Sequence, residues 1–184
     1  MRLIQKELHR QLHDEAIATR ERIAALLRPL DPARLAEHPE PEGWSIGQVL
    51  EHLCRADELY DESFAKLMRT ARPDAGAAAR EWKSSFIGGL IAGSLLSPRP
   101  LKGPRAFRPG PTPRDGVVET LLGRELRFVQ AMDDAAAFDW RALRIKSPAL
   151  PRWAPSMNVG DGFRIHVVHV TRHSRQIERL VKQL

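Results

Sequence analysis

The sequence predicts an all-α fold, a four-helix bundle with a Pro-rich crossover between the second and third long helices. Three observations carry this expectation. Four stretches place apolar residues at three- and four-residue steps, two of them open on strong capping residues, and no stretch shows convincing strand alternation. Alanine and leucine dominate an apolar content of 42%, while aromatics stay at 6%, which also favours helix. A chain of 184 residues suits one ordinary core, so a single domain is expected over 1–184.

The first helix follows from Ile4, Leu8, Leu12, Ala16, Ile23 and Leu26, with Thr19 filling the gap in the stripe; Pro29 and Pro32 end it near Arg28. In "WSIGQVLEHL", Ser45 is the N-cap and Gln48 completes a capping box, with Trp44 and Val49 placed for a hydrophobic staple. That second helix should run to about Thr70 on a stripe of Ile46, Val49, Leu53, Ala56, Tyr60, Phe64 and Leu67. Between 71 and 114 the pattern weakens, although "AAAREWKSSFIGGLI" suits a shorter helix. Its apolar part, "FIGGLIAGSLL" at 86–96, reads as a buried packing segment in which Gly89 and Gly93 allow close approach. A third long helix starts at Asp115 with Val118, Leu121, Leu122, Leu126, Val129 and Met132. After a loop, Asn158 caps a fourth that continues to about Lys182.

Composition narrows the function. The single cysteine, Cys54, excludes an internal disulfide, and the charged start "MRLIQKELHRQLHDE" lacks the apolar core of a signal peptide, so a cytoplasmic location is expected. The longest apolar run is too short for a membrane span, and no membrane partner is expected. A net charge of +6 and a pI near 10.1 raise nucleic acid as a partner. Yet "PRPLKGPRAFRPGPTPR" at 98–114 gathers five basic residues and six prolines with one aromatic, Phe107, which is the composition of a solvated connection. Nucleic acid is therefore disfavoured.

The histidines are the informative residues. His166, His169 and His173 fall at i, i+3 and i+7 on the last helix, on a stripe that continues through Ile177, Leu180 and Leu184. One core histidine is ordinary, but burying three is costly without partners, and neutral imidazole is the commonest metal ligand. The His169 and His173 pair presents two nitrogens from successive turns, and His52 on the second helix is a candidate third donor. Such a site ties opposite parts of the bundle together and keeps coordination positions open. His9 and His13 have the same i, i+4 spacing but flank the Leu8 and Leu12 stripe, and His38 reads as surface.

"WSIGQVLEHL" followed far downstream by "HVTRHSRQI" resembles the DinB-like superfamily of metal-dependent four-helix-bundle proteins. The family pattern is a Trp-Ser helix start, a histidine about eight residues on, and a late H-x-x-x-H followed by Gln-Ile. "PRAFRPGPTP" resembles its linker. The resemblance implies the ligands His52, His169 and His173, and leaves His166 either supporting the site or as an alternative ligand. It also implies a divalent metal, commonly zinc or nickel, a homodimer, and in some relatives transferase or isomerase chemistry on small molecules with a low-molecular-weight thiol as co-substrate.

Three imidazoles leave a metal its full charge, which suits an anionic ligand; Arg55 and the basic loop are candidates to hold its carboxylates, with an ordinary solvent-facing role an equal reading. Asp57, Glu58 and Glu62 should point away from His52. Gln176 is placed to orient a ligand or bound water, Tyr60 to pack, and Cys54 elsewhere. The expectation is thus a metal-dependent transferase or hydrolase, with no catalytic residue assigned beyond the ligands. The alternative is a non-catalytic metal-binding bundle, in stress response or as an interaction module.

Overall fold

The computed structural model describes residues 2–39, 43–99, 101, 103–151 and 153–184. Within the basic 98–114 stretch, Pro100 and Lys102 lie outside the described residues. The chain is predominantly helical. In order it forms β1 (Arg2–Ile4), α1 (Gln5–Leu27), α2 (Ile46–Thr70), β2 (Glu81–Lys83), α3 (Phe86–Leu96), α4 (Val117–Asp134), β3 (Arg144–Ile145), β4 (Met157–Asn158) and α5 (Val159–Gln183). Helices α1 and α2 each pack against both α4 and α5, and α3 lies on α5.

The ends of the long helices follow their local chemistry. Ser45 Oγ accepts from the Gln48 amide at 3.2 Å, and Gln48 Oε1 accepts from the Ser45 amide at 3.1 Å, so the capping box is complete. Asn158 Oδ1 caps α5 by accepting from the Asp161 amide at 2.9 Å. Because the Ser45 hydroxyl satisfies an amide that no helical carbonyl can reach, Ser45→Ala is expected to lower the unfolding free energy by about 1 kcal/mol, read as a shift in the urea midpoint.

Among the described residues, two short antiparallel ribbons stand where no strand was expected. Pairing β1 with β2 sets Leu3 opposite Trp82, and β3 with β4 sets Ile145 opposite Met157. At two or three residues a strand is too short to show alternation. The "AAAREWK" stretch is accordingly not helical throughout: Glu81–Lys83 is strand, and the helix starts only at Phe86. Ile4 is half-exposed at the end of β1, so the buried stripe of α1 begins at Gln5 and Leu8, and Thr19 fills its place in it by bonding to Thr171 across the interface with α5.

The "FIGGLIAGSLL" helix is buried on one side only. Gly88 and Ala92 face α5, while Phe86, Leu90 and Leu96 are exposed. The close approach is at Gly88, where a Cβ would meet the Asp161 carboxylate at 2.2 Å, and not at Gly93, which has nothing within 4 Å. Asp161 accepts from the Ser84 hydroxyl and from the Ser85 amide and hydroxyl, docking the start of α3 on the first turn of α5. On α4 the buried positions are Val117, Leu121, Glu125, Val129 and Met132; Leu126 is turned outward.

Candidate metal centre

His52 sits on α2 with 4% of its surface exposed, positioned by the capped start of the helix and by the proline-rich segment that crosses it. Gln48 Nε2 donates to the carbonyls of Gly110 and Pro111, and a Cβ on Gly47 would meet Pro113 at 2.8 Å, so the segment lies directly on the first turn. Its Phe107 carbonyl accepts a hydrogen bond from His52 Nδ1 at 2.8 Å. A carbonyl can only accept, so the proton is on Nδ1 and the lone pair of the neutral ring is on Nε2.

That lone pair points at the last helix. His52 Nε2 lies 3.0 Å from His169 Nε2, and one ring nitrogen from each of His52, His169 and His173 falls within 4.8 Å of the other two. His173 Nδ1 donates to Gln176 Oε1 at 2.8 Å, which turns its Nε2 lone pair away from Gln176. Gln176 thus orients a ring, where a ligand or water was expected. Burial holds the His52 and His169 imidazoles below their ordinary range, His169 well below and further lowered by the other two rings. It takes His173 down to about 3. All three are neutral donors at neutral pH.

This donor set fits a divalent ion. Two imidazole nitrogens each roughly 2.0–2.1 Å from one zinc ion sit roughly 3–3.4 Å apart, close to the 3.0 Å between His52 and His169. Outer N–H groups bonded to a carbonyl and an amide oxygen are the support that ligating histidines carry elsewhere. The Trp44 ring, with its centroid 5.0 Å from that of His52, gives the centre an apolar flank. The three histidines line a cavity of about 1370 Å³, together with Tyr60, Phe64 and Phe128.

His166 is elsewhere. It does not join the other three but lies between Asp57 and Glu125, 3.2 Å from a carboxylate oxygen of each, and stacks on Phe128 with 3.6 Å between centroids. Burial opposes charge on the ring, but the two carboxylates outweigh it and push its pKa up to about 10. The apolar stripe of α5 is Phe163, Val167, Val170 and Ile177, and the histidines form the adjoining, half-buried cavity wall.

Asp57, expected to point away from His52, lies on another wall of this cavity; Glu58 pairs with Arg114 and Glu62 is exposed. Glu125 was missed altogether. Its signal lay in the sequence, as an acid at a four-residue step between Leu121 and Val129.

Arg55 is exposed and does not line the cavity. Of the loop's basic residues, Arg114 is held by Glu51 and Glu58, and none of those described reaches the cavity wall. Cys54 is buried, and burial pushes its thiol up to about 12, which removes it as a nucleophile. Tyr60 packs in the wall, bonded to Ser147 at 2.7 Å. His9 and His13 lie apart from the centre against Asp133, and His38 is exposed.

The protein is mainly helical and gathers three neutral histidines, a group that could hold a metal ion, at one cavity. The family model described as the DinB superfamily matches residues 15–177, and the chain belongs to that superfamily. Comparison with curated proteins and with solved structures gives no match. Among the described residues no helix is long and apolar enough to cross a membrane.

Proposed function

We propose that the protein is a metal-dependent enzyme, a transferase or hydrolase resembling low-molecular-weight-thiol S-transferases, built as a four-helix bundle with the Pro-rich segment as its crossover. His52, His169 and His173 are the ligands, and zinc or nickel is the metal. What carries the reading is the pair of outer hydrogen bonds, from His52 to Phe107 and from His173 to Gln176, which engage the Nδ1 protons and leave the Nε2 lone pair of each ring free for an ion. Packing alone would not need both tautomers set in this way.

A divalent ion in such a site supplies a nucleophile at neutral pH, by lowering the pKa of a bound water or by holding a thiol as thiolate. The chain's own residues do the rest. Phe107 and Gln176 hold the ring orientations, Trp44 and Phe107 keep water from one side, and the cavity admits a small-molecule substrate. The same reading makes the protein a cytoplasmic homodimer.

The test is elemental analysis after dialysis against a weak chelator. Wild-type protein is expected to retain close to one equivalent of zinc or nickel, and His52→Ala and His173→Ala at least about tenfold less, with loss of any thiol-dependent transfer. A wild type that neither retains nor reloads either ion overturns the reading. Metal binding without thiol-dependent activity leaves the bundle as a non-catalytic metal binder.

A further inference from the structure

One cluster outside the three-histidine centre leaves buried carboxylate oxygens without hydrogen-bond partners among the described residues. Asp57 on α2, Glu125 on α4 and His166 on α5 each bring a donor atom within 4.8 Å of the other two. Glu125 is 2% exposed and the Asp57 side chain 11%. Two carboxylates have four oxygens, and one imidazole ring has two nitrogens to meet them. His166 takes Asp57 Oδ1 and Glu125 Oε2. Asp57 Oδ2 and Glu125 Oε1 stay buried with no hydrogen-bond partner among the described residues.

The neighbouring cation does not fill the gap. Arg124 Nε lies 3.7 Å from Asp57 Oδ2, beyond hydrogen-bond reach, and is itself unpartnered, while the guanidinium turns to Asp61. Buried carboxylate oxygens left unpaired are costly, and an ion is one of the few occupants that resolves both at once. Two carboxylates with a neutral ring carry the charge that a divalent cation cancels. The donor set is richer in oxygen than the three-imidazole centre and so prefers a harder ion.

We propose that Asp57, Glu125 and His166 form a second divalent-cation site, selective for an oxygen-preferring ion such as Mn²⁺ and separate from the three-histidine centre. Asp57 and His166 stand in the wall of the same cavity, which gives the ion its path. Without the ion, a proton on His166 holds the cluster together. Entry of the cation makes one bond to a ring nitrogen and bonds to the carboxylate oxygens, and the displaced proton leaves to solvent.

The experiment titrates the chelator-stripped full chain with Mn²⁺ alone, following loss of the free-ion electron paramagnetic resonance signal. Wild type is expected to bind Mn²⁺, and His52→Ala to keep one equivalent. Asp57→Asn and Glu125→Gln should each weaken that binding at least about tenfold. The proposal is overturned if wild type binds no Mn²⁺, if both carboxylate variants bind as tightly as wild type, or if His52→Ala alone abolishes binding. Should a carboxylate variant fail to fold, His166→Gln decides the matter: Mn²⁺ binding weakened at least about tenfold supports the site, and binding as tight as in wild type overturns it.

Discussion

Replacing His166 by leucine is expected to lower the unfolding free energy of the ion-free protein by roughly 3–5 kcal/mol, the usual cost of removing one partner from a buried charge cluster. The variant leaves the largely buried Asp57 and Glu125 carboxylates facing each other without the ring that bridges them. The effect depends on pH in a direction the structure sets. The His166 pKa is raised in the folded chain to about 10, against an unfolded value near 6.5, so the stabilisation is fully present below about pH 6.5 and is lost as pH rises through 10. Urea unfolding of wild type and His166→Leu, both in chelator, should therefore differ most at pH 6 and converge by about pH 10. A gap that stays constant across that range would show that the ring contributes by packing alone.

Gly160→Ala is expected to cost about 3 kcal/mol or more, the upper end for overpacking a fixed site, or roughly 6–12 °C in Tm for a domain of this size. A Cβ on Gly160 would stand 2.2 Å from Trp82 Nε1 and within 3 Å of two more ring atoms. The ring has nowhere to go, because it is fully buried and donates to Asn158 Oδ1 at 2.9 Å. Asn158 is itself fixed, capping α5 with Oδ1 and donating to the Lys83 carbonyl with Nδ2. Gly93→Ala is the control. It sits exposed in α3 with open space around it, so relief of backbone entropy should leave stability unchanged or raise it by roughly 0.5–1 kcal/mol. Differential scanning calorimetry of the two variants checks both signs.

Features written in local chemistry were legible from the chain alone. The Ser45 capping box, the Asn158 cap and the i, i+4 spacing of His169 and His173 each depend on residues within one or two turns, and each reads correctly. His52 was legible as a histidine near the core stripe of a well-started helix. The neighbours of His166 were not, because Asp57 and Glu125 come from two other helices whose rotation no local pattern states. Asp57 lies five residues beyond His52, roughly 140° around α2, which puts it off the His52 face but onto another wall of the same wide cavity. The choice of Gly89 and Gly93 as contact glycines failed for a similar reason. On a helix of nearly uniform apolarity, periodicity cannot say which side meets Asp161.

The two anchors of the histidine centre differ in how they can change over evolution. His173 is oriented by the side chain of Gln176, which a single substitution at that position removes. His52 is oriented by a main-chain carbonyl, which every residue type at position 107 would supply. Drift in the side chains of the Pro-rich segment therefore leaves the ring's proton in place, whereas an insertion or deletion between 103 and 114 would shift the carbonyl and disturb the centre without touching a histidine. Length, more than sequence, is the property of that segment on which selection should act.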